Sequence, residues 1–274
     1  MGELAPGPLT LALCLLAATA AGAEPATGVR AGWTDLSLLN ASEARTAFAA
    51  AAQADPASRD ARLGLALSLL QLRARTPSNI AAAGEWLKTL RNENAADDAG
   101  IAATYYLARI QQMHGYTPNR SAAVEGYRAL LAAHPGHYYA QLAAPKLALL
   151  LLYDDVPPDE WERRVTEVSA LIHRLTTPEA LRDTRLILAT AFIRLRLDHA
   201  RAYPLMSAAL AAGSVTRLPR LNALLVQAAE SAQVLGKRSE AADYYAHFLA
   251  EFPHDAKSDE IRRRLDDLNR KAGS

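Results

Sequence analysis

Apolar residues recur with a helical period along nearly the whole chain. Leu63, Leu67 and Leu70, for example, are spaced so that their side chains share one helical stripe. Proline-bearing turns such as Asp55-Pro56 and Thr76-Pro77 separate the periodic segments. We find no segment with the period-two alternation of a strand. The pattern predicts roughly thirteen helices joined by short turns, and therefore an all-α fold.

One four-point pattern occurs three times. It consists of a small residue, an aromatic residue four positions later, an apolar residue at seven and a proline at twelve, which together define one helical stripe and the end of its helix. The copies are Ala44/Phe48/Ala51/Pro56, Ala123/Tyr127/Leu130/Pro135 and Ala241/Tyr245/Phe248/Pro253. The first residues of the first two copies are 79 positions apart, and those of the next two are 118 apart. We interpret these spacings as two units and three and a half units, respectively, of about 34 residues each. The recurrence predicts helical-hairpin repeats, which usually bind other proteins.

The pattern resembles the tetratricopeptide repeat (TPR) family. The best match is Asn222 to Asp255, with small residues in its first helix, Gly236 at the turn and the Ala241 copy in its second helix. Ile101 to Pro135 matches next, and Arg59 to Asn92 matches more loosely, with Ala82 and Trp86 in its second helix. The resemblance implies a right-handed superhelical array of antiparallel helix hairpins, a TPR-like α-solenoid.

The N-terminus is typical of an export signal. Leu9 to Ala21 is apolar or small and too short to span a bilayer, and Ala21-Gly22-Ala23 provides the small residues of a cleavage site. Met1 to Pro8 differs from the usual signal because it has no Lys or Arg and contains Glu3. A helix of the mature fold is one alternative, and lipid anchoring at Cys14, the only cysteine, is another.

We therefore expect a signal peptide over 1–23, a linker over 24–32 and a TPR-like helical repeat domain over 33–274 that ends in a capping helix. The mature protein is expected to be exported, to the periplasm of a bacterium, without a transmembrane segment. The segment from Tyr244 to Pro253 also resembles the sequence variant found in exported, envelope-associated members of the TPR family.

Composition and motifs give no sign of chemistry. Thirty basic residues face 29 acidic ones, for a net charge of +1, so a nucleic-acid partner is not expected. His134 and His137 flank a Pro-Gly turn with no further ligand nearby, and paired carboxylates such as Asp97-Asp98 fit helix starts. We predict that the protein is not an enzyme and has no catalytic residue, metal or cofactor.

The resemblance also implies a binding surface. In the family, first-helix positions of each repeat line a concave groove, and here these positions give Tyr105, Arg109, Gln112, Glu230 and Gln233. Tyr105 and Arg109 are four apart and could stack on a peptide and pair with its carboxylate; alternatively, Tyr105 packs inside the fold and Arg109 is solvated.

The expected function is a non-catalytic protein–protein interaction scaffold of the bacterial cell envelope, which binds a peptide or protein segment in its groove. The alternative is a structural subunit of an envelope assembly that uses the convex face or the ends of the array.

Overall fold

The computed structural model describes residues 27–272, except 75, 115, 116, 155 and 214. Every regular element among these residues is helical, which confirms the all-α prediction. The thirteen α-helices are α1 (Thr27–Ser37), α2 (Ala41–Ala54), α3 (Arg59–Gln71), α4 (Pro77–Glu93), α5 (Asp98–Arg109), α6 (Arg120–Ala133), α7 (Tyr138–Tyr153), α8 (Trp161–Arg174), α9 (Pro178–Ala191), α10 (His199–Ala211), α11 (Leu218–Val234), α12 (Arg238–Glu251) and α13 (Ser258–Ala272). Two π-helical segments, Ile110–His114 and Phe192–Arg196, extend α5 and α9. None of the helices described is long and apolar enough to cross a membrane.

The predicted linker over 24–32 is wrong from Thr27 onward, because Thr27–Ser37 forms α1. The two glycines in this stretch suggested a loop, but Val29, Gly32 and Leu36 form a buried helical stripe. Gly32 is needed there because a Cβ atom would lie 2.8 Å from the Phe48 ring. The predicted signal peptide 1–23 and Cys14 lie outside the described residues, so both stay predictions.

The helices form two compact units, of which the first ends at Gly126 and the second begins at Tyr127. In the first, α1 to α5 pack on one another in chain order, and in the second, α7 to α13 do so. The odd-numbered helix of each hairpin is called helix A below and the even-numbered one helix B; α13 follows the last hairpin alone. The single domain expected over 33–274 stays a prediction.

The hairpin repeat is confirmed, but its predicted length is wrong. Five of the six B helices bury a triad at offsets 0, 4 and 7 that starts with alanine, namely Ala44/Phe48/Ala51, Ala83/Leu87/Leu90, Ala123/Tyr127/Leu130, Ala202/Met206/Ala209 and Ala241/Tyr245/Phe248, and almost all of these residues are fully buried. The corresponding residues of α8 are Arg164, Val168 and Leu171. Neighbouring triads start 38 to 41 residues apart, so 118 residues are three units of about 39 and not three and a half of about 34.

The added length has a structural cause in the A helices and turns. In the fifth hairpin, helix A continues from α9 through the π-helical segment Phe192–Arg196.

The second hairpin corrects the register predicted for Arg59 to Asn92. Ala83 and Leu87 are fully buried, whereas Ala82 is exposed and Trp86 only half-buried.

Phe48 shows what the aromatic position of the triad does. Its ring lies between Gly32 of α1 and Gly64 of α3, where a Cβ atom would come within 2.8 Å and 2.2 Å of the ring, respectively. Trp33 packs edge-on against it at 5.0 Å between ring centroids. Aromatic packing of this kind joins one hairpin to the next.

The C-terminal helix covers the last hairpin. Ile261 and Leu268 of α13 belong to the buried cluster of Leu225, Tyr245 and Phe248. Polar contacts join the same helices, because Arg264 of α13 donates to Glu230 Oε1 at 2.8 Å and to the Tyr245 hydroxyl at 3.3 Å. These contacts hold α13 against the last hairpin, and the capping role expected for it stays a prediction.

Candidate functional site

The structure places the three predicted binding residues of the first unit close together. Tyr105 is buried and packs edge-on against Tyr106 at 5.1 Å between centroids, which agrees with the alternative that it serves packing. Arg109 is half-buried, and its Nη1 donates to Gln112 Oε1 at 2.8 Å. Arg109 is therefore held by the chain itself instead of being merely solvated. A binding role for these residues stays a prediction.

The two predicted residues of the second unit make contacts to α12 and α13. Glu230 accepts the hydrogen bond from Arg264, and Gln233 Oε1 accepts one from the Tyr245 hydroxyl at 3.4 Å. Both side chains thus help to fix the terminal helices. Their proposed contact with a partner is untested as well.

Residues considered for chemistry have structural roles where the contacts are seen. His137 caps α7, with its Nδ1 accepting from the Tyr139 amide at 3.3 Å. Asp97 caps α5 by accepting from the Gly100 amide at 2.8 Å, and it also accepts from Arg59 at 2.9 Å. Within the part of the chain that the structure describes, no cluster of three or more His, Cys, Asp or Glu side chains could hold a metal.

An open groove in the second unit was not expected from the sequence. It has a volume of about 670 Å³ and lies where the start of α8, the turn between α9 and α10, and the end of α11 meet. We call it the turn groove. It is lined by Pro158, Trp161, Glu162, Arg196, Leu197, Asp198, His199, Ala200, Arg201, Val234 and Leu235.

Leu197 at the rim of the turn groove has an unusual backbone. Its φ is 52°, in the left-handed region that a leucine avoids, and 77% of its surface is exposed. Leu197 lies two residues before helix B of its hairpin, which begins at His199. In the next hairpin the residue at the same position is Gly236, whose φ is 73°. The corresponding residue of the first hairpin is Leu39, with φ of 65° and 74% exposure. Leucine therefore stands in two hairpins where the turn favours glycine.

Further apolar side chains surround the groove. Val234 is 65% exposed, and Leu235 is exposed beside it. Trp161 lies beneath, buried and packed edge-on against Phe192 at 6.3 Å between centroids. The groove thus has an apolar floor and an apolar rim, both built from a single hairpin and its two neighbours.

Arg201 binds both carboxylates of the groove. Its Nε donates to Asp198 at 2.5 Å and its Nη1 to Glu162 at 2.8 Å, while its guanidinium lies 4.5 Å from the centroid of the Phe192 ring. The hydrogen bond from Arg201 lowers the pKa of Glu162, and bonds from the Arg201 backbone and side chain lower that of Asp198. Both carboxylates are therefore ionised at neutral pH, and Glu162 stays largely exposed.

Arg196, the second arginine of the groove, contacts an aromatic ring. Its guanidinium carbon lies 4.9 Å from the centroid of the Trp161 ring, an ordinary cation–π distance. Arg196 is exposed and has no hydrogen bond within the described residues, but its charge acts on Glu162 and helps to lower the pKa of that carboxyl. Arg196 and Arg201 thus face Glu162 and Asp198 in the same groove, two cations against two carboxylates.

The sequence contained one signal for this site that was overlooked. Arg194-Leu195-Arg196-Leu197 is typical of the end of a helix. Alignment on a 39-residue repeat would have placed Leu197 on the turn glycine Gly236. The assumed 34-residue unit hid that correspondence.

Comparison with known proteins identifies the fold. No family model matches the chain, and no curated protein does. Among solved structures, PilF of Pseudomonas aeruginosa is similar, with 15% identity, a TM-score of 0.55 and coverage of 86% of this chain and 96% of that one. PilW, a type IV pilus biogenesis factor, is 13% identical, with a TM-score of 0.58 and coverage of 85% of this chain and 96% of that one. A chain of the APC/C hetero-tetramer Cut9–Hcn1 is 17% identical, with a TM-score of 0.51 and coverage of 87% of this chain and 42% of that one.

These likenesses, together with the repeated hairpins, define a helical-repeat fold of the tetratricopeptide type. At such identities they speak for the fold alone.

Proposed function

We propose that this chain is a non-catalytic protein–protein interaction scaffold of the bacterial cell envelope. The observation that carries the proposal is the turn groove, which presents exposed leucine and valine beside an exposed arginine on a repeat fold of a kind that commonly binds proteins. The left-handed Leu197 strengthens it, because strain kept at an exposed side chain points to use of that side chain.

The envelope location rests on different support. Residues 1–23 have the apolar stretch and small cleavage-site residues of an export signal. PilW, which shares the fold, is a type IV pilus biogenesis factor. By analogy, we place this chain in the assembly or maintenance of an envelope structure, where it holds a segment of another protein.

The test combines fractionation with crosslinking in the bacterial host. N-terminal sequencing of the protein in the periplasmic fraction should give a chain that begins after Ala23. A photoreactive residue at Val234, on the groove rim, should yield one defined protein adduct, and the same residue at exposed Lys88 of α4 should not yield it.

Three results would separate the alternatives. An adduct that elutes as a permanent stoichiometric complex would favour a structural subunit, and one formed with an exchangeable segment would favour the scaffold. A cytoplasmic chain that retains Met1 and forms no adduct from any exposed position would refute the proposal.

A further inference from the structure

We propose that the turn groove joins two copies of this chain in a symmetric contact. This inference rests on the proposed scaffold function and names the protein that the groove holds, a second copy of the same chain. In such a contact both copies use the same surface, so each group that needs a partner must find it on that surface of the other copy. The turn groove meets this condition in its charges and in its apolar rim.

The groove contains an unused donor and an unused acceptor of opposite charge. Arg196 is exposed, and its N–H groups make no hydrogen bond within the described residues. The carboxylate of Glu162 accepts from Arg201 at Oε2, and 67% of the Glu162 side chain is exposed, so Oε1 can accept from outside. Across a twofold axis, Arg196 of each copy can pair with Glu162 of the other, which gives two charge-assisted hydrogen bonds.

The balance of charge in the groove favours a copy over a simpler ligand. Two cations, Arg196 and Arg201, lie among two carboxylates, Glu162 and Asp198. An acidic segment would meet the exposed Glu162, and a basic segment would meet the two arginines. The groove itself carries both signs and therefore complements a second groove. The whole chain has a formal net charge of +1, so that long-range repulsion between two copies is small.

The apolar rim supplies the driving force. Leu197 is 77% exposed, Val234 65% and Leu235 36%, and all three line the groove. Single exposed apolar side chains are ordinary on a monomer, but three around one groove form a patch that association removes from water. In the twofold contact the rim of each copy covers the rim of the other, and the charged pairs fix their register.

Sedimentation equilibrium of the chain purified from its bacterial host measures the contact. As the concentration is raised, the mass should rise from that of one chain to that of two and no further, because a symmetric contact closes on itself. Leu197→Asn and Val234→Lys should each raise the Kd of the dimer by about tenfold or more.

These two substitutions are chosen to preserve the fold. Asparagine tolerates the left-handed backbone at 197, and a lysine at 234 suits the last turn of α11. Their melting temperatures should therefore not fall. Leu39→Asn is the matched control, because Leu39 has the same backbone conformation and similar exposure but lies outside the groove. Its Kd should stay within about twofold of wild type.

A charge exchange tests the pairing between copies. Arg196→Glu sets two carboxylates against each other in both contacts of the dimer, and Glu162→Arg sets two guanidinium groups there, so each variant alone should raise the Kd by about tenfold or more. In a mixture of the two variants, every contact again joins an acid to a base, and a mixed dimer should form with a Kd within about threefold of wild type. Such a rescue cannot come from a change within either chain.

Other results overturn the inference. These are a chain that stays monomeric at every concentration, association that the groove variants leave unchanged, or a mixture of the charge variants that does not associate. A mass that grows beyond two chains would show an open, head-to-tail contact and would contradict the symmetric groove as well.

The photoreactive residue at Val234 separates this inference from the scaffold function. The adduct formed in cells should have twice the mass of the chain. If the adduct contains a different protein and the purified chain stays monomeric, the contact between copies fails and the scaffold function stands. If purified copies pair as expected but the chain in cells retains Met1 and forms no adduct, the scaffold function fails and the contact between copies stands.

Discussion

Single backbone positions show where this chain departs from the most stable choice. Leu39 and Leu197 adopt φ of 65° and 52°, and Gly213 and Gly236 adopt similar angles without a side chain to clash. A left-handed leucine costs about 1–2 kcal/mol relative to an allowed backbone. The two leucines are also the most exposed large apolar residues described in the chain, so packing does not compensate for that cost.

Replacing either leucine by glycine should therefore stabilise the protein. We expect Leu39→Gly and Leu197→Gly each to raise the free energy of unfolding by about 0.5–1 kcal/mol, the relief of strain being partly offset by the greater freedom of glycine in the unfolded chain. Urea denaturation measures this effect. Gly236→Ala, at φ of 73°, should show the opposite sign, and lower stability in both leucine variants would contradict the interpretation.

Two buried helical glycines should respond in opposite ways to the same change. In Gly64→Ala the new Cβ would lie 2.2 Å from the Phe48 ring, whereas at Gly84 nothing lies within 4 Å. We expect Gly64→Ala to destabilise by about 3 kcal/mol or more, since neither the ring nor the backbone has room to move. Gly84→Ala should stabilise by about 0.5–1 kcal/mol because alanine favours a helix. Equal effects in thermal denaturation would show that the Phe48 packing is not as described.

At the scale of elements, the triad of a helix B was recognisable in its correct register only where it carries an aromatic residue and a following proline. Ala83/Leu87/Leu90 and Ala202/Met206/Ala209 are buried as fully as the recognised copies, but Leu and Met satisfy the same packing without the diagnostic residue types. Position 164 breaks the pattern further, because Arg164 instead donates to the Leu151 carbonyl at 3.1 Å. Packing at these positions requires only an apolar side chain of suitable volume, whereas the sequence motif requires particular residue types. The motif therefore identified three of the six triads.

The aromatic copy in α12 supplies a test of the element. Tyr245 is fully buried among Leu225, Phe248 and Ile261, so Tyr245→Ala should cost about 3–5 kcal/mol through the cavity that it leaves. Tyr245→Phe keeps the ring and loses only the hydroxyl contacts to Gln233 and Arg264, and should cost about 1 kcal/mol. A loss below about 1 kcal/mol for the alanine variant, in chemical denaturation, would mean that the repeat register is wrong.

An ion-pair cluster between α3 and α4 should make stability depend on acid. Arg62 binds Glu93 with two hydrogen bonds of 2.6 and 2.8 Å, and Arg59 adds a third of 2.6 Å. The hydrogen bonds from Arg62, above all, lower the pKa of Glu93. Since the folded pKa is the lower one, the contribution is complete above the unfolded pKa of about 4.3 and is lost as the pH falls through the folded pKa.

Glu93→Gln removes this dependence. The variant should be less stable than wild type near neutral pH, because buried Arg62 loses its carboxylate, and the difference should shrink on acidification below about pH 4. Denaturation midpoints at several pH values measure the effect. Glu85→Gln, which removes only an exposed pair with Lys88, should change little at any pH, and a difference for Glu93→Gln that persists in acid would contradict the assignment.

At the scale of the molecule, the all-α hairpin architecture was predictable, whereas the best candidate site was not. Architecture depends on helical periodicity, which each segment carries by itself. The turn groove instead joins Trp161, Leu197 and Val234 from three helix ends, and it becomes visible only once the correct repeat length aligns them. The five sequence-predicted residues depended on a register taken from a shorter repeat. Arg109, Gln112, Glu230 and Gln233 hydrogen-bond other side chains of the chain, and Tyr105 is buried.

The repeat architecture leads to a last prediction about the terminal helix. Ile261 and Leu268 of α13 cover the cluster around Leu225 and Tyr245, and the stability of repeat proteins is close to a sum of terms between neighbouring repeats. Ile261→Ala combined with Leu268→Ala should therefore loosen the last hairpin first. Amide hydrogen exchange should show strongly reduced protection in α11 and α12 and unchanged protection in α2 and α3, with exposed Arg263→Ala as the control. A uniform loss of protection across the chain would instead mean that all the hairpins unfold as one cooperative block, because nearest-neighbour coupling alone cannot carry a terminal defect to Phe48.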